Sequence, residues 1–143
     1  MHFVMMMGLP GSGKTQFAKG VYKSYTYINQ DEIGSKEETF NQFIDALEAN
    51  ENIVLDRCNI CMLQRADWLQ LVLGYNVDDI TCMYLYVPED ECLNRILDRK
   101  NHPVIKEHIG MDRKKELIET FSEALEVPEI EEGFTEIIWK KNY

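Results

Sequence analysis

Residues Gly8-Leu9-Pro10-Gly11-Ser12-Gly13-Lys14-Thr15 follow directly on the apolar run His2–Met7. The pattern G-x-x-x-x-G-K-[ST] behind such a run dictates a strand that enters a tight glycine-bearing loop and leaves it as a helix. The segment Thr15–Lys23, with Phe17, Ala18 and Val21, is compatible with that helix. Gly8, Gly11, Ser12 and Gly13 let consecutive main-chain N–H groups converge on phosphate oxygens, and the helix N-terminus adds its positive end. Lys14 can reach the β- and γ-phosphates, and Thr15 can offer its hydroxyl to Mg²⁺. The loop implies a bound nucleoside triphosphate with Mg²⁺; nothing in it separates ATP from GTP.

The rest of the chain alternates short apolar runs with helical periodicity. Strands are predicted at Tyr25–Ile28, Asn52–Leu55, Ile80–Val87 and Phe134–Trp139. Helices are predicted at Lys36–Asn50, Gln64–Leu73, Glu89–Lys100 and Lys106–Leu125, the last open to interruption at Gly110. Phe40, Phe43, Ile44 and Leu47 fall on one helical face, and Ile53-Val54-Leu55 is continuously apolar, as a parallel strand covered on both sides should be. This order describes a three-layer α/β domain with a mostly parallel central sheet. With the phosphate loop it is the P-loop NTPase fold, and residues 90–112 are expected to form a helical lid.

At 143 residues the chain is expected to be one domain, 1–143. No apolar run approaches the roughly 20 residues needed to span a bilayer, and the N-terminal run lacks a cationic lead-in. A soluble intracellular protein, cytoplasmic or nuclear, with no membrane contact and no evident protein partner is the expectation. A net charge of −10 argues against broad electrostatic attraction to nucleic acid and leaves only a local site for a polyanion. Cys58 and Cys61 have C-x-x-C spacing, but Cys82 and Cys92 form no second pair, so reduced thiols are expected over a metal site.

In such sheets ligands gather at the carboxyl ends of the strands. After the second strand comes Asn29-Gln30-Asp31-Glu32, and after the third Asp56-Arg57-Cys58-Asn59. A carboxylate at the first of these can accept a proton from an attacking hydroxyl, the role expected of Asp31; its alternative is an N-cap for a turn at Glu32–Gly34. Asp56 behind Ile53-Val54-Leu55 is the acid that, with Thr15, holds Mg²⁺. Arg95 and Arg99 lie four apart on one helix face beside Lys100-Asn101-His102-Pro103. Their planar forks suit a lid over phosphates, but a solvated face paired with Asp90, Glu91 or Asp98 fits the same spacing.

The ordered set Gly8–Thr15, Tyr27–Gly34, Asp56–Asn59 with Arg65, and Arg95-x-x-x-Arg99 resembles the motifs of P-loop polynucleotide 5′-hydroxyl kinases. It looks most similar to the kinase domain of fungal-type tRNA ligases. The resemblance implies transfer of a γ-phosphate to the 5′-OH of RNA, with Asp31 as general base and Arg99, helped by Arg95, on the phosphates. Arg57, Asn59 and Arg65 would lie towards the nucleotide base or the acceptor. Two positions depart from the pattern. Gly34 stands where phage-type kinases carry an acceptor-gripping arginine, and Ile60 where the tRNA-ligase kinases usually carry a histidine.

The leading expectation is a catalytic site of Lys14, Asp31 and Arg99 acting on a 5′-OH RNA or DNA end. One alternative is a P-loop kinase of a small metabolite such as a nucleoside, nucleotide or sugar. A second is a nucleotide-binding switch without catalysis, which needs no base at position 31.

Overall fold

The computed structural model describes residues 1–98 and 110–143. Its elements follow the chain as β1 (His2–Met7), α1 (Lys14–Val21), β2 (Thr26–Ile28), α2 (Gln30–Ile33), α3 (Lys36–Glu48) and β3 (Ile53–Leu55). These are followed by α4 (Met62–Val72), β4 (Asp79–Tyr86), α5 (Glu89–Leu97), α6 (Met111–Ala124), a 3₁₀ turn (Ile130–Glu132) and β5 (Glu136–Lys141). The five strands form one parallel sheet in the order β2-β3-β1-β4-β5.

Strand β1 is apolar at every position from Phe3 to Met7 because it is central and covered on both faces. Phe3, Met5 and Met7 pack into one core with Phe43, Leu47 and Trp68, while Val4 and Met6 pack against Ala18 on the other side. Period-two alternation within an unbroken apolar run thus builds two cores from one strand. Trp68 is fully buried between Phe40, stacked at 4.5 Å, and Phe43, edge-on at 5.2 Å. A third cluster, Leu9, Val87, Cys92, Ile96 and Ile118, seats α5 and α6 over the carboxyl end of the sheet beside the loop after β1.

Several boundaries move from their predicted places, most by one or two residues, and three of the changes bear on the packing. Strand β5 starts two residues late, because Phe134 turns into the main core and the Thr135 hydroxyl caps the Ile80 N–H at 2.8 Å. Lys140 and Lys141 are therefore strand residues. Helix α4 begins early, at Met62, with Cys61 in the N-cap position. Gly110 precedes α6 as its N-cap and does not interrupt it. The segment Lys106 to Ile109, and Lys100 to Pro103 of the expected lid, lie outside the described residues.

Candidate functional site

The loop after β1 is held in shape before any ligand is considered. Gly11 (φ 85°) and Gly13 (φ 88°) are left-handed, and a Cβ on either would press within 2.6 Å of a neighbour, Cys92 O or Asn142 Nδ2. Only glycine meets both demands. The Gly8 N–H donates to Cys58 O at 3.1 Å, which ties the loop to the segment after β3. Lys14 opens α1, is 8% exposed, and donates from Nζ to Leu9 O at 2.9 Å and to Ser12 Oγ at 3.4 Å. Its ammonium lies across the loop mouth on main-chain and hydroxyl partners that phosphate oxygens can replace.

Thr15, one residue on, donates from Oγ1 to Asp56 Oδ2 at 2.7 Å. Asp56 is 4% exposed, and its Oδ2 also accepts from Tyr27 Oη at 2.5 Å and from Asn29 Nδ2 at 3.2 Å. Asn29 Nδ2 donates to Tyr27 Oη as well, at 3.0 Å. Burial, and then the hydrogen bond to Asp56, raise the Tyr27 phenol far above its ordinary range, so it is a fixed donor at any physiological pH. A buried carboxylate oxygen next to the loop threonine fits a divalent cation bound through hard oxygen ligands.

Asp31 is exposed on α2, at the carboxyl end of β2. The capping reading goes to Asn29, whose Oδ1 accepts from Asp31 N at 2.8 Å and from Glu32 N at 3.3 Å. Asp31 itself is exposed and does not act as the cap. Gly34 closes α2 in the left-handed conformation (φ 104°), which an arginine would adopt only under strain.

Arg57 is half-buried, with its guanidinium over the Trp68 ring at 5.3 Å. Burial lowers its pKa, opposed by the charges of Cys58, Asp31 and Asp67, so it stays a cation within the electrostatic reach of Asp31.

Two residues expected near the acceptor are scaffold instead. Arg65 is 0% exposed and forks onto Glu132, Nε to Oε1 at 2.8 Å and Nη2 to Oε2 at 3.1 Å, with Nη1 on Asn59 O at 3.0 Å. Asn59 is 1% exposed, in a left-handed conformation (φ 48°), and donates from Nδ2 to Met6 O at 2.8 Å. Both face inward and offer no surface to an acceptor.

Arg95 divides its fork. Nε meets Glu91 at 3.2 Å, as the ion-pair reading expects, while Nη1 donates to Gly11 O at 3.4 Å and Ser12 O at 3.3 Å, and Nη2 to Asn142 O at 2.5 Å. Asn142 Nδ2 in turn donates to Ser12 O at 2.7 Å. Gly13, Gln16, Arg95, Asp98 and Asn142 line a cavity of about 430 Å³ beside the loop. Arg99 lies outside the described residues. The four cysteines are free thiols, Cys58 and Cys61 partly exposed, and no group of three metal-ligating side chains of the His/Cys/Asp/Glu kind occurs among the described residues. No helix among them is long and apolar enough to cross a membrane.

Four residues of this site escaped the sequence reading of roles. Tyr27 and Asn29 stood inside a quoted motif without a task. Gln16 stands one residue past the loop motif, which assigns it no role, and Asn142 carries no sequence signal, since its relation to the loop exists only once β5 lies beside β4.

No family model matches the chain. It is 24% identical over 145 residues to the transcription factor bHLH140 of Arabidopsis thaliana, covering 95% of this chain and 15% of that protein. Over 89 residues it is 28% identical to a putative bifunctional polynucleotide phosphatase/kinase of Acanthamoeba polyphaga mimivirus, covering 61% of this chain and 21% of that protein. The chain thus spans about a fifth or less of the length of these curated relatives. Among solved structures, a fungal RNA kinase superposes with a TM-score of 0.73 at 16% identity, over 99% of this chain and 75% of that one. A gluconokinase from Sinorhizobium meliloti 1021 gives 0.69 at 17% identity, over 99% and 82%. A shikimate kinase from Bacteroides thetaiotaomicron gives 0.61 at 16% identity, over 96% and 85%. These structural likenesses show the fold: a five-stranded parallel sheet with helices that matches P-loop kinase structures.

Proposed function

We propose that this chain is a phosphotransferase that moves the γ-phosphate of ATP or GTP to the 5′-hydroxyl of an RNA or DNA end. The observation that carries the reading is the exposed Asp31 just past β2, whose main-chain N–H is held by the same Asn29 amide that bonds the buried Asp56, itself paired with Thr15 at the phosphate loop. A nucleotide-binding switch has no use for a carboxylate at position 31.

The loop amides and Lys14 bind the triphosphate, and the fixed φ angles at Gly11 and Gly13 prepay the ordering of that loop. Thr15 Oγ1 and Asp56 Oδ2 are the groups that would hold Mg²⁺, which when bound neutralises charge on the transferring phosphates. Asp31 accepts the proton of the attacking hydroxyl. Arg57 contributes a permanent cation on the Asp31 side and supplies an acceptor-phosphate contact in place of the arginine that Gly34 lacks. Arg95 braces the loop carbonyls at the edge of the cavity that takes the nucleotide base, and Arg99 acts with it over the phosphates.

Gly34 and the net charge of −10 favour one competing reading, a small-metabolite acceptor. An acceptor screen with labelled ATP and GTP separates them, with Lys14→Ala as the donor-site control. The proposal expects transfer to short 5′-OH RNA that survives trimming to a dinucleotide and falls only gently with salt. A protein gripping six to ten phosphates would instead lose roughly 10³–10⁵ in affinity between 50 and 200 mM salt. Far more efficient use of a nucleoside or sugar than of any 5′-OH oligonucleotide would move the assignment to the metabolite kinase.

A further inference from the structure

Asn29 is a buried amide, 6% exposed, whose two ends face opposite sides of the site. Its Oδ1 accepts the main-chain N–H groups of Asp31 at 2.8 Å and Glu32 at 3.3 Å. Its Nδ2 donates to Asp56 Oδ2 at 3.2 Å and to Tyr27 Oη at 3.0 Å. The amide cannot be turned over, because a flip would set its N–H groups against two backbone N–H donors and its oxygen against a carboxylate. One side chain therefore spans the four-residue helix that carries Asp31 and the carboxylate at the end of β3.

We propose that Asn29 is a positioning residue that locks Asp31 and Asp56 into one arrangement, so that the proton-accepting and cation-holding carboxylates are set by a single amide. The inference deepens the phosphotransfer reading above and rests on it for the roles of those two carboxylates. Each half has a physical cause. A helix of four residues is too short to sustain itself, so its orientation depends on its caps, here Asn29 in front and Gly34 behind. The Asp56 Oδ2 atom is oriented by donors from three elements, Thr15 of α1, Tyr27 of β2 and Asn29. Asn29 also fixes one of those donors, the Tyr27 phenol. A weaker outer link runs in parallel: Lys19 Nζ pairs with Glu32 at 3.0 Å and sits 4.8 Å from the centre of the Tyr27 ring. That link is half-exposed and cannot substitute for the buried amide.

The two functions of the amide can be separated by substitution. Serine keeps a cap oxygen but has no second donor; alanine has neither. Hydrogen exchange at the Asp31 and Glu32 amides reports the cap, and should accelerate roughly tenfold in Asn29→Ala but stay near wild type in Asn29→Ser. The Mg²⁺ dependence of ADP binding reports Asp56, and the half-saturating Mg²⁺ should rise about 2–10-fold in both variants. At saturating Mg²⁺, kcat should recover in Asn29→Ser relative to Asn29→Ala, while KM for nucleotide changes little between them. Asn29→Ser with a wild-type Mg²⁺ titration, or unchanged amide exchange in Asn29→Ala, would overturn the inference. Failure of the wild-type protein to phosphorylate any acceptor strikes the phosphotransfer reading instead, since exchange and Mg²⁺-dependent ADP binding are read without turnover.

Discussion

Arg95 Nη2 donates to the main-chain oxygen of Asn142 at 2.5 Å, and Asn142 Nδ2 donates to Ser12 O at 2.7 Å. The end of the last strand and the first turn of the phosphate loop are thereby held together by a helix that belongs to neither.

That clamp makes Arg95 more demanding than its charge. Arg95→Lys keeps the cation but cannot serve Glu91, the loop carbonyls and Asn142 at once, because the ammonium has no fork. Arg95→Lys and Arg95→Ala should therefore both lower kcat/KM, by about 10–100-fold. Asn142→Ala, which removes one neutral hydrogen bond, should weaken nucleotide binding only about 2–10-fold. Steady-state kinetics with calorimetric nucleotide binding checks the order; a near wild-type Arg95→Lys removes the clamp from the account.

Asp31 is exposed and contributes no cap, so its side chain has little structural work. Asp31→Asn should leave the unfolding free energy within about 0.5 kcal/mol and retain nucleotide affinity, yet reduce kcat by about 10²–10⁴. Denaturant melts beside turnover assays test this. A stability loss with preserved specific activity would return the residue to a structural role.

The Arg65–Glu132 pair is buried on both sides, at 0% and 6% side-chain exposure. Arg65→Met strands the Glu132 carboxylate and should cost about 3–5 kcal/mol, whereas Arg65→Met with Glu132→Leu should recover most of that loss. Chemical denaturation of the cycle measures it. The folded fraction of the double variant should keep its specific activity, since neither side chain faces the acceptor.

Burial pushes the Cys82 thiol to about 12 and the Cys92 thiol to about 11, from an ordinary 9.0. Between pH 9 and about 11 the unfolded chain releases these protons while the folded chain retains them. Stability present below pH 9 is then lost as pH rises, at about 1.4 kcal/mol per pH unit for each thiol. Denaturation midpoints from pH 7 to 10.5 should fall above pH 9. Cys82→Ala should flatten that fall; an unchanged slope would show that burial of this thiol does not set it.

The phosphate loop, the parallel α/β order and the two strand-end carboxylates were legible in the sequence because each is a local pattern. Glycines at set spacing, an unbroken apolar run and an acid directly behind it carry their structural consequence within a few residues. What the polar residues around them do was not legible, because a side chain after a strand end has the same neighbours in sequence whether it points in or out. Arg65 turns inward because Glu132 arrives 67 residues later to meet it, and Asn59 because the Met6 carbonyl, 53 residues earlier, needs a donor. Asn29, not Asp31, caps the helix after β2, since only the residue at the strand's own end still has the extended backbone a cap requires. The role of Asn142, 130 residues from Ser12, exists only through the parallel pairing of β5 with β4. Sequence determined which chemistry the strand ends can carry; tertiary structure decided which of those groups face the site, because burial and long-range hydrogen bonds are settled only when distant segments share one core.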